Sequence, residues 1–225
     1  CAVIATDTTY HPNGIEAAAK IGCDVLVEKP LAVDSQVART AMNVAISLER
    51  KVWVGCCLRF QSAMNDFRNH LPSVGKVHSV RIECQSYLPD WRPNHPYRDS
   101  YSACADEGGV LRDLIHEVDY ATWLFGWPRS VQAKIRNTGC LGIEAEETAD
   151  LLWETDAGVL VSMSLDYLSR PSRRRMRVVG EHGSLEWDCI THVVTLAMAG
   201  EAEQVFHSPQ SHDEMYLAQD LAFIE

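Results

Sequence analysis

The sequence predicts an α/β fold in two parts, a doubly wound parallel sheet followed by an α+β domain with a large, mostly antiparallel open sheet. Up to about residue 58, short apolar runs alternate with helical segments, which is typical of parallel strands joined by crossover helices. Beyond that residue, strand-like runs follow one another through tight turns, which favours antiparallel pairing. We therefore expect two domains, at residues 1–58 and 59–225.

In the first part, three apolar strands alternate with two helices. Asn13 and Asp34 are expected to cap the helices through their side-chain oxygens, and Gly22 is expected to end the first helix. The predicted strands cover 2–6, 24–27 and 51–57, and the predicted helices cover 14–22 and 34–50. Doubly wound sheets bind ligands beyond the carboxyl ends of their strands, where this chain has Thr6, Asp7, Glu28, Lys29, Gly55 and Arg59.

In the second part, a helix and an alternating strand lead to a loop rich in Trp, Arg, Pro and Tyr. A glycine-led helix follows up to Gly126, and then a series of strands separated by turn signals. Ser211 or Asp213 is expected to cap the last helix. The first helix lies near 61–71, the alternating strand at 77–88, the loop at 89–102, and the later strands at 130–138, 148–155, 158–167, 174–180, 184–188, 192–198 and 203–207.

The glycine-led helix combines an apolar stripe with a cluster of polar residues. The stripe is expected to face the core, which leaves Asp113, His116 and Tyr120 together on the other side. A carboxylate beside an imidazole can hold the ring in one tautomer and raise its basicity, but a solvated polar face has the same spacing. Gly108 and Gly109 let a ligand or another backbone approach the first turn. The stripe consists of Leu111, Leu114, Ile115, Val118 and Phe125.

Composition excludes several classes of partner. The chain has 225 residues and a formal net charge of -11, which argues against nucleic acid or an anionic membrane surface. It has no apolar run long enough to span a bilayer and no visible signal peptide. Its cysteines lack metal-site spacing, so we expect no metal and reduced thiols in a cytoplasmic protein. Both ends of the chain fall inside apolar or helical patterns, so we expect a piece of a longer protein.

Two further segments have the composition of a ligand site. Lys29 ends a buried strand, where a lysine can donate a proton to a developing hydroxyl, although a surface turn has the same pattern. In the loop from Asp90 to Arg98, arginines can bind a carboxylate or phosphate and aromatic rings can stack on a sugar. Alternatively, Pro and Trp packing simply holds this loop on the surface. Arg170 with Arg173-Arg174-Arg175 is interpreted as a solvated strand face rather than an anion site. The pattern does not decide whether Asp166 and Tyr167 face a cleft or solvent.

Together these motifs resemble those of the Gfo/Idh/MocA family, the relatives of glucose-fructose oxidoreductase and inositol dehydrogenase. The resemblance runs over the whole chain. It implies the C-terminal half of a Rossmann dinucleotide-binding domain, followed by a substrate-binding and oligomerisation domain. The motifs are Ala5-Thr6 with His11, Glu28-Lys29-Pro30-Leu31-Ala32, Val54-Gly55 with Arg59-Phe60, Gly109 with Asp113, His116 and Asp119, and Val179-Gly180-Glu181-His182-Gly183-Ser184-Leu185.

The resemblance implies an NAD- or NADP-dependent oxidoreductase that transfers a hydride between the nicotinamide and a CH–OH group of a sugar, polyol or sugar derivative. Lys29, Asp113 and His116 would be catalytic, with either His116 or Lys29 relaying the hydroxyl proton. A homodimer or homotetramer is also implied, and a weaker likeness of the Asp90–Arg98 loop points to surface-carbohydrate biosynthesis. The residues expected at the cofactor are Thr6, Asp7, Thr8, His11, Glu28, Lys29 and Arg59, and those at the substrate are Lys29, Arg92, Tyr97, Arg98, Asp113 and His116.

The chain departs from the family pattern in several places. The family's first strand, glycine-rich phosphate loop and acidic ribose-binding residue have no counterpart here, so we expect this chain not to bind NAD(P) usefully. Cys57 stands where the family often has Asn, and Ile115 where it often has Gly. A non-catalytic binding or regulatory relative of the same fold is the alternative function. Retention of Lys29, Asp113 and His116 together favours the enzyme.

Overall fold

The computed structural model describes residues 1–225. By their backbone contacts these residues form two units, Cys1–Cys57 with Tyr216–Glu225, and Leu58–Met215. Residues 216–225 therefore group with the first unit, whereas the expected division placed them in the second. The domain boundary after residue 58 stays a prediction.

The first unit holds a three-stranded parallel sheet made of β1 (Ala2–Ile4), β2 (Val25–Glu28) and β3 (Val52–Gly55). The strands are adjacent in sequence order, so that Val27 of β2 pairs with Ile4 on one side and Val54 on the other. Helices α1 (His11–Lys20) and α2 (Ser35–Ser47) connect them. Their apolar faces and the strands enclose a core that includes Ile15, Val25 and Ala41. The predicted parallel strand–helix alternation is confirmed.

The two helices of this unit begin differently. Asp34 caps α2 as predicted, since its carboxylate accepts hydrogen bonds from the backbone N–H groups of Gln36 at 2.7 Å and Val37 at 3.1 Å. The prediction that Asn13 caps the first helix is wrong, because α1 already begins at His11. Pro12 fits the first turn, where its missing N–H would have had no helical partner.

The second unit is built on an eight-stranded sheet. Every pair of neighbouring strands is antiparallel except β4 and β7, which run parallel. This confirms the predicted large, mostly antiparallel open sheet. The strands are β4 (Val77–Gln85), β5 (Pro128–Arg136), β6 (Thr148–Thr155), β7 (Leu160–Asp166), β8 (Arg173–Gly180), β9 (Gly183–Asp188), β10 (Val193–Met198) and β11 (Gln204–His207), in the order β11-β10-β9-β8-β4-β7-β6-β5.

The two faces of this sheet differ in burial. Ile82 of β4 pairs with Met163 of β7 and Met176 of β8, and all three side chains are buried. On the covered face lie α3 (Ser62–His70), α4 (Val110–Asp113) and α5 (Ile115–Phe125). The last helix, α6 (His212–Ile224), starts with a reciprocal cap in which Ser211 accepts from the Glu214 N–H and donates its own N–H to the Glu214 carboxylate.

The glycine-led helix is interrupted at Leu114, which separates α4 from α5. The expected orientation is wrong for much of its length. The positions predicted for the core, Leu111, Ile115 and Val118, are partly exposed, whereas the predicted polar side, with Asp113, His116 and Tyr120, is buried. Periodicity counts carboxylates and imidazoles as solvent-facing, but each buried carboxylate here has a polar partner from elsewhere in the unit.

Glu117 shows how α5 is held on the sheet. Its side chain is 0% exposed and pairs with the Arg174 guanidinium of β8 through two hydrogen bonds of 2.7 and 3.1 Å. Burial would lower the pKa of Arg174, but the Glu117 carboxylate outweighs it and raises that pKa above its ordinary value. The interpretation of residues 170–175 as a solvated strand face is therefore wrong for Arg174, while its neighbour Arg175 pairs with Glu83 in a half-exposed position.

Removing the partner of the buried Glu117 should cost far more than removing the half-exposed Arg175. We expect Arg174→Met to lower the free energy of unfolding by about 3–5 kcal/mol, because Glu117 is left as a buried charge without its ion-pair partner. The control Arg175→Met, which breaks the half-exposed pair with Glu83, should cost about 0–1 kcal/mol. Chemical denaturation of the two variants measures both, and equal losses would contradict this account.

Gly109 permits the close approach of two segments before α4. It has φ 95° and ψ 155°, a backbone region that is essentially restricted to glycine. A Cβ atom at this position would overlap the Glu146 carboxylate. The space that the missing side chain of Gly109 leaves is therefore taken by the Glu146 side chain, which belongs to another segment of the chain.

The overlap at Gly109 is testable against a glycine that has a positive φ but open surroundings. Gly139 has φ 75°, and a Cβ atom added to it would have no neighbouring atom within 4 Å, so Gly139→Ala should cost only about 1–2 kcal/mol of backbone strain. We expect Gly109→Ala to lose at least twice as much free energy of unfolding in the same denaturation assay. A loss no larger than that of Gly139→Ala would show that the Glu146 side chain moves aside without cost.

Candidate active site

Asp113 is the centre of a buried polar cluster in the second unit. It is 5% exposed, and the Tyr167 hydroxyl donates a hydrogen bond of 2.6 Å to its Oδ2. The charge of this carboxylate also acts on the phenol of Tyr101. Burial and then the charge of Asp113 raise the pKa of both phenols, so both remain protonated donors at neutral pH. The cluster fixes the carboxylate in one orientation.

The structure shows which way Tyr167 and its neighbour Asp166 face, a point that periodicity does not decide. Tyr167 is buried and turns toward Asp113, whereas the Asp166 carboxylate accepts hydrogen bonds from the N–H groups of Leu168 and Ser169. Asp166 is therefore a turn residue. Neither Tyr101 nor Tyr167 was identifiable as a partner of Asp113 from spacing, because both lie far from it in sequence.

His116 occupies the first turn of α5, three residues beyond Asp113. The imidazole is 8% exposed and lies on the same buried side of the interrupted helix as Asp113. Glu146 adds a second carboxylate at the start of α4, where its Oε1 accepts a hydrogen bond of 3.3 Å from the Leu111 N–H. A carboxylate held by a phenol, with an imidazole on the same face of the segment, can orient a substrate hydroxyl and accept its proton.

The loop predicted to bind substrate is fixed by its own polar contacts. The Tyr97 hydroxyl donates to the Leu141 carbonyl oxygen at 2.9 Å, and the Arg98 guanidinium donates to the same oxygen at 3.2 Å. Trp91 donates from its indole N–H to Ser86 and packs edge-on against Tyr167. Tyr97 and Arg98 thus hold the loop in place, and their contact with substrate stays a prediction.

Arg92 stands apart from these contacts. Its guanidinium carbon lies 5.6 Å from the centre of the Tyr101 ring, in a cation–π arrangement. It borders a pocket lined by Leu88, Trp91, Arg92, His95, Tyr97, Ser100 and Ser102. Trp packing therefore fixes part of the loop, while ligand binding in the pocket beside Arg92 stays a prediction.

In the first unit, the carboxyl ends of the parallel strands carry the residues predicted for the cofactor. Thr6 and Asp7 are exposed after β1, Thr8 is buried in the turn that follows, and Glu28 and Lys29 are half-buried after β2. This is the edge at which doubly wound sheets bind ligands. The roles of these residues stay predictions.

His11 and Arg59 have partners within their own units. The His11 ring, 1% exposed, lies between the Pro30 carbonyl oxygen at 2.9 Å from Nδ1 and the Thr6 carbonyl oxygen at 3.0 Å from Nε2. It therefore links the loops that follow β1 and β2. Arg59 donates two hydrogen bonds, of 2.8 and 2.6 Å, to the Asp119 carboxylate. A direct contact of either residue with a cofactor stays a prediction.

A dinucleotide needs a cradle for its pyrophosphate as well as a strand edge. Such cradles use a glycine turn that leads into a helix N-terminus, where backbone N–H groups meet the phosphate charge. Here α1 begins with Pro12 in its first turn, and the first N–H groups of α2 already bind the Asp34 carboxylate. The first unit therefore fits part of a dinucleotide site, the strand edge, but its two helix N-termini do not form a phosphate cradle.

Comparison with known proteins gives two family matches. Residues 1–56 match the oxidoreductase family with an NAD-binding Rossmann fold, and residues 73–186 match the GFO/IDH/MocA C-terminal domain. The chain is 27% identical over 197 residues to myo-inositol dehydrogenase Hyg17 of Streptomyces leeuwenhoekii, covering 82% of this chain and 57% of that protein. Over 127 residues, covering 55% and 36%, it is 30% identical to inositol 2-dehydrogenase of Rhizobium meliloti.

Solved structures share the fold at lower identity. An inositol dehydrogenase homolog from Azotobacter vinelandii, complexed with NAD+, superposes with a TM-score of 0.81 at 19% identity, over 96% of this chain and 59% of that one. A levoglucosan dehydrogenase with NADH and levoglucosan gives a TM-score of 0.88 at 16% identity, over 98% and 68%. None of the helices here has the length and apolar character that a membrane crossing requires.

The chain thus spans 57% of the length of the Streptomyces relative. Its two matched segments follow the order Rossmann segment, then C-terminal domain, and the second of them alone covers half of the sequence. The match includes the strand edge with Lys29 and the helices with Asp113 and His116. On this basis, the chain belongs to the GFO/IDH/MocA family.

Proposed function

We propose that this protein is an NAD- or NADP-dependent dehydrogenase that transfers a hydride between the nicotinamide and a CH–OH carbon of a sugar, polyol or sugar derivative. The observation that carries the proposal is the buried Asp113 carboxylate, which accepts a hydrogen bond from the Tyr167 phenol and precedes a buried histidine by three residues. Relatives named as inositol dehydrogenases support a carbohydrate substrate. None of the eight cysteines forms a disulfide, which is consistent with the proposed cytoplasmic location.

In the proposed reaction, the carbon–hydrogen bond of the substrate breaks, its hydride goes to nicotinamide C4, and the hydroxyl proton goes to a base. Asp113 would orient the hydroxyl, and either His116 or Lys29 would accept the proton. A bound nicotinamide supplies the hydride acceptor. The protein residues orient the substrate and transfer the proton. General acid–base groups typically increase the reaction rate by about 10²–10⁴-fold.

Lys29→Ala in the full-length gene product tests the proposed catalytic role. We expect turnover to fall by about 10²–10⁴-fold with little change in cofactor affinity, because a proton-transfer group acts mainly in the transition state. Lys20→Ala is the matched control, since Lys20 is an exposed lysine of α1 that pairs only with Glu16. The assay follows NAD(P)H absorbance over sugars, inositols and sugar nucleotides, the last group to test the proposed surface-carbohydrate role.

Each outcome of that assay has a clear meaning. Unchanged turnover in Lys29→Ala would remove Lys29 from the mechanism. Tight cofactor binding without turnover of any substrate by the unsubstituted protein would favour a non-catalytic relative of the same fold.

We also propose that the open face of the eight-stranded sheet mediates self-association. Leu160 of β7, Ser79 of β4 and Val179 of β8 form one row across three neighbouring central strands. Leu160 and Val179 are 47% and 40% exposed, which is high for aliphatic side chains on central strands. Apolar rows on an open sheet support an interface between copies related by a two-fold axis.

Sedimentation of the full-length gene product tests this association. At micromolar concentration we expect a dimer or tetramer, and Val179→Asp should shift it toward monomer because a carboxylate would be buried without a partner. Val37→Asp, on the exposed side of α2, is the control and should leave the oligomer intact. A monomeric unsubstituted protein would contradict the proposal.

A further inference from the structure

Arg92 is a cation that the fold holds in place without an acidic partner. The guanidinium groups of Arg59, Arg174 and Arg175 all form ion pairs within the second unit, but no carboxylate pairs with that of Arg92. Its contact is with the face of the Tyr101 ring, at 5.6 Å from the ring centre. The contact with the ring orients the Arg92 guanidinium but does not use its N–H donors.

The loop around Arg92 is fixed on both sides. Before it, the Trp91 indole donates to the Ser86 hydroxyl at 2.8 Å and packs against the Tyr167 ring, with ring centres 5.3 Å apart. After it, Tyr97 and Arg98 donate to the Leu141 carbonyl oxygen. Arg92 itself is exposed, but its loop is fixed, and a binding group gains from such support because less freedom is lost when the ligand binds.

Tyrosine rings connect this loop to the candidate catalytic carboxylate. The Tyr101 ring lies against Arg92, and burial together with the charge of Asp113 raises the pKa of the Tyr101 phenol. In the same way, Trp91 packs on Tyr167, whose hydroxyl is bonded to Asp113. These two phenol rings therefore form a layer between the loop that carries Arg92 and the Asp113 carboxylate.

The two sides of this phenol layer differ in charge. Asp113 and Glu146 are carboxylates, which accept hydrogen bonds from neutral hydroxyls and repel an anion. Arg92 presents a planar fork of donors that matches a carboxylate or a phosphate. With a net charge of -11 on the chain, such a local cation is also what an anionic ligand needs in order to approach.

We propose that the pocket lined by Trp91, Arg92, His95 and Tyr97 binds an anionic substituent, a carboxylate or a phosphate, of the carbohydrate substrate. This inference rests on the proposed function, in that the same substrate presents its reacting hydroxyl on the Asp113 side. The substrate class is then an acidic or phosphorylated sugar or polyol rather than a neutral one.

The test compares matched ligands on the full-length gene product. Calorimetry with glucose, glucuronate and glucose 6-phosphate, repeated for the galactose and mannose series, separates the ring from its charge. We expect one anionic member to bind about tenfold or more tightly than the neutral sugar of its series, and the better anion identifies carboxylate or phosphate as the group. Equal affinities within every series, or no binding of any charged member, would overturn the inference.

Two variants assign the preference to Arg92. Arg92→Met should lower the affinity for the anionic ligand by about tenfold or more and so remove its advantage over the neutral sugar. Arg92→Lys should keep only part of that advantage, because the charge remains but the planar fork of donors is lost. Arg39→Met, at an exposed position of α2, is the matched control and should change neither affinity. An anion preference that survives in Arg92→Met would overturn the assignment.

Turnover measured beside binding distinguishes the two proposals. Oxidation of neutral sugars, with no preference for anions, would leave the dehydrogenase proposal standing and overturn this inference. An Arg92-dependent anion preference without NAD(P)-dependent turnover would support the anion pocket and overturn the dehydrogenase proposal.

Discussion

The pairing of buried carboxylates is the constraint on which the second unit depends. An ionised carboxylate in a protein interior is strongly unfavourable unless charged or hydrogen-bonding partners surround it. Glu117 pairs with Arg174, Asp113 accepts from the Tyr167 hydroxyl, and Glu147 accepts from the N–H groups of Thr138 and Leu141. Desolvation would raise the pKa of Glu147, but hydrogen bonds from the Thr138 hydroxyl and from the backbone N–H groups of Leu141 and Thr138 lower it below its ordinary value. Each partner comes from a different segment, so satisfying the carboxylates assembles the unit.

This constraint extends to the candidate site. Glu147 holds the turn that contains Leu141, and the Leu141 carbonyl oxygen in turn accepts hydrogen bonds from Tyr97 and Arg98. The loop that carries Arg92 is thereby fixed by a carboxylate that never touches it. The Glu117 pair acts in the same way on α5, since it fixes the helix on the sheet at the residue next to His116. Buried charges that contribute little net stability thus determine where the site residues lie.

The sequence allowed prediction of those features that depend on neighbouring residues. The start of α2 could be predicted from Asp34, because the N–H groups that its side chain binds lie only two and three residues away. The strands of the second unit could be predicted from alternating residues, which is also a local pattern. The buried side of the α4–α5 segment could not be predicted from periodicity, since its carboxylates are paired with Arg174 and Tyr167 from distant strands. Pro12 shows the same limit on a smaller scale, because a proline fits a loop and a first helical turn equally well.

The one parallel pair in the large sheet explains why the site residues meet. In a purely antiparallel sheet, neighbouring strands end at opposite edges, but β4 and β7 run parallel, so Gln85 and Asp166 end them side by side. The segments that follow are therefore neighbours, and the backbone N–H groups of Ser86 and Leu88 donate to the carbonyl oxygens of Asp166 and Tyr167. The strands β6 and β8 are antiparallel to this pair and begin at the same edge, which brings Glu146 and Arg174 there as well. The tyrosine that holds Asp113 and the loop that presents Arg92 thus share an edge because of strand direction, a long-range property that no local motif encodes.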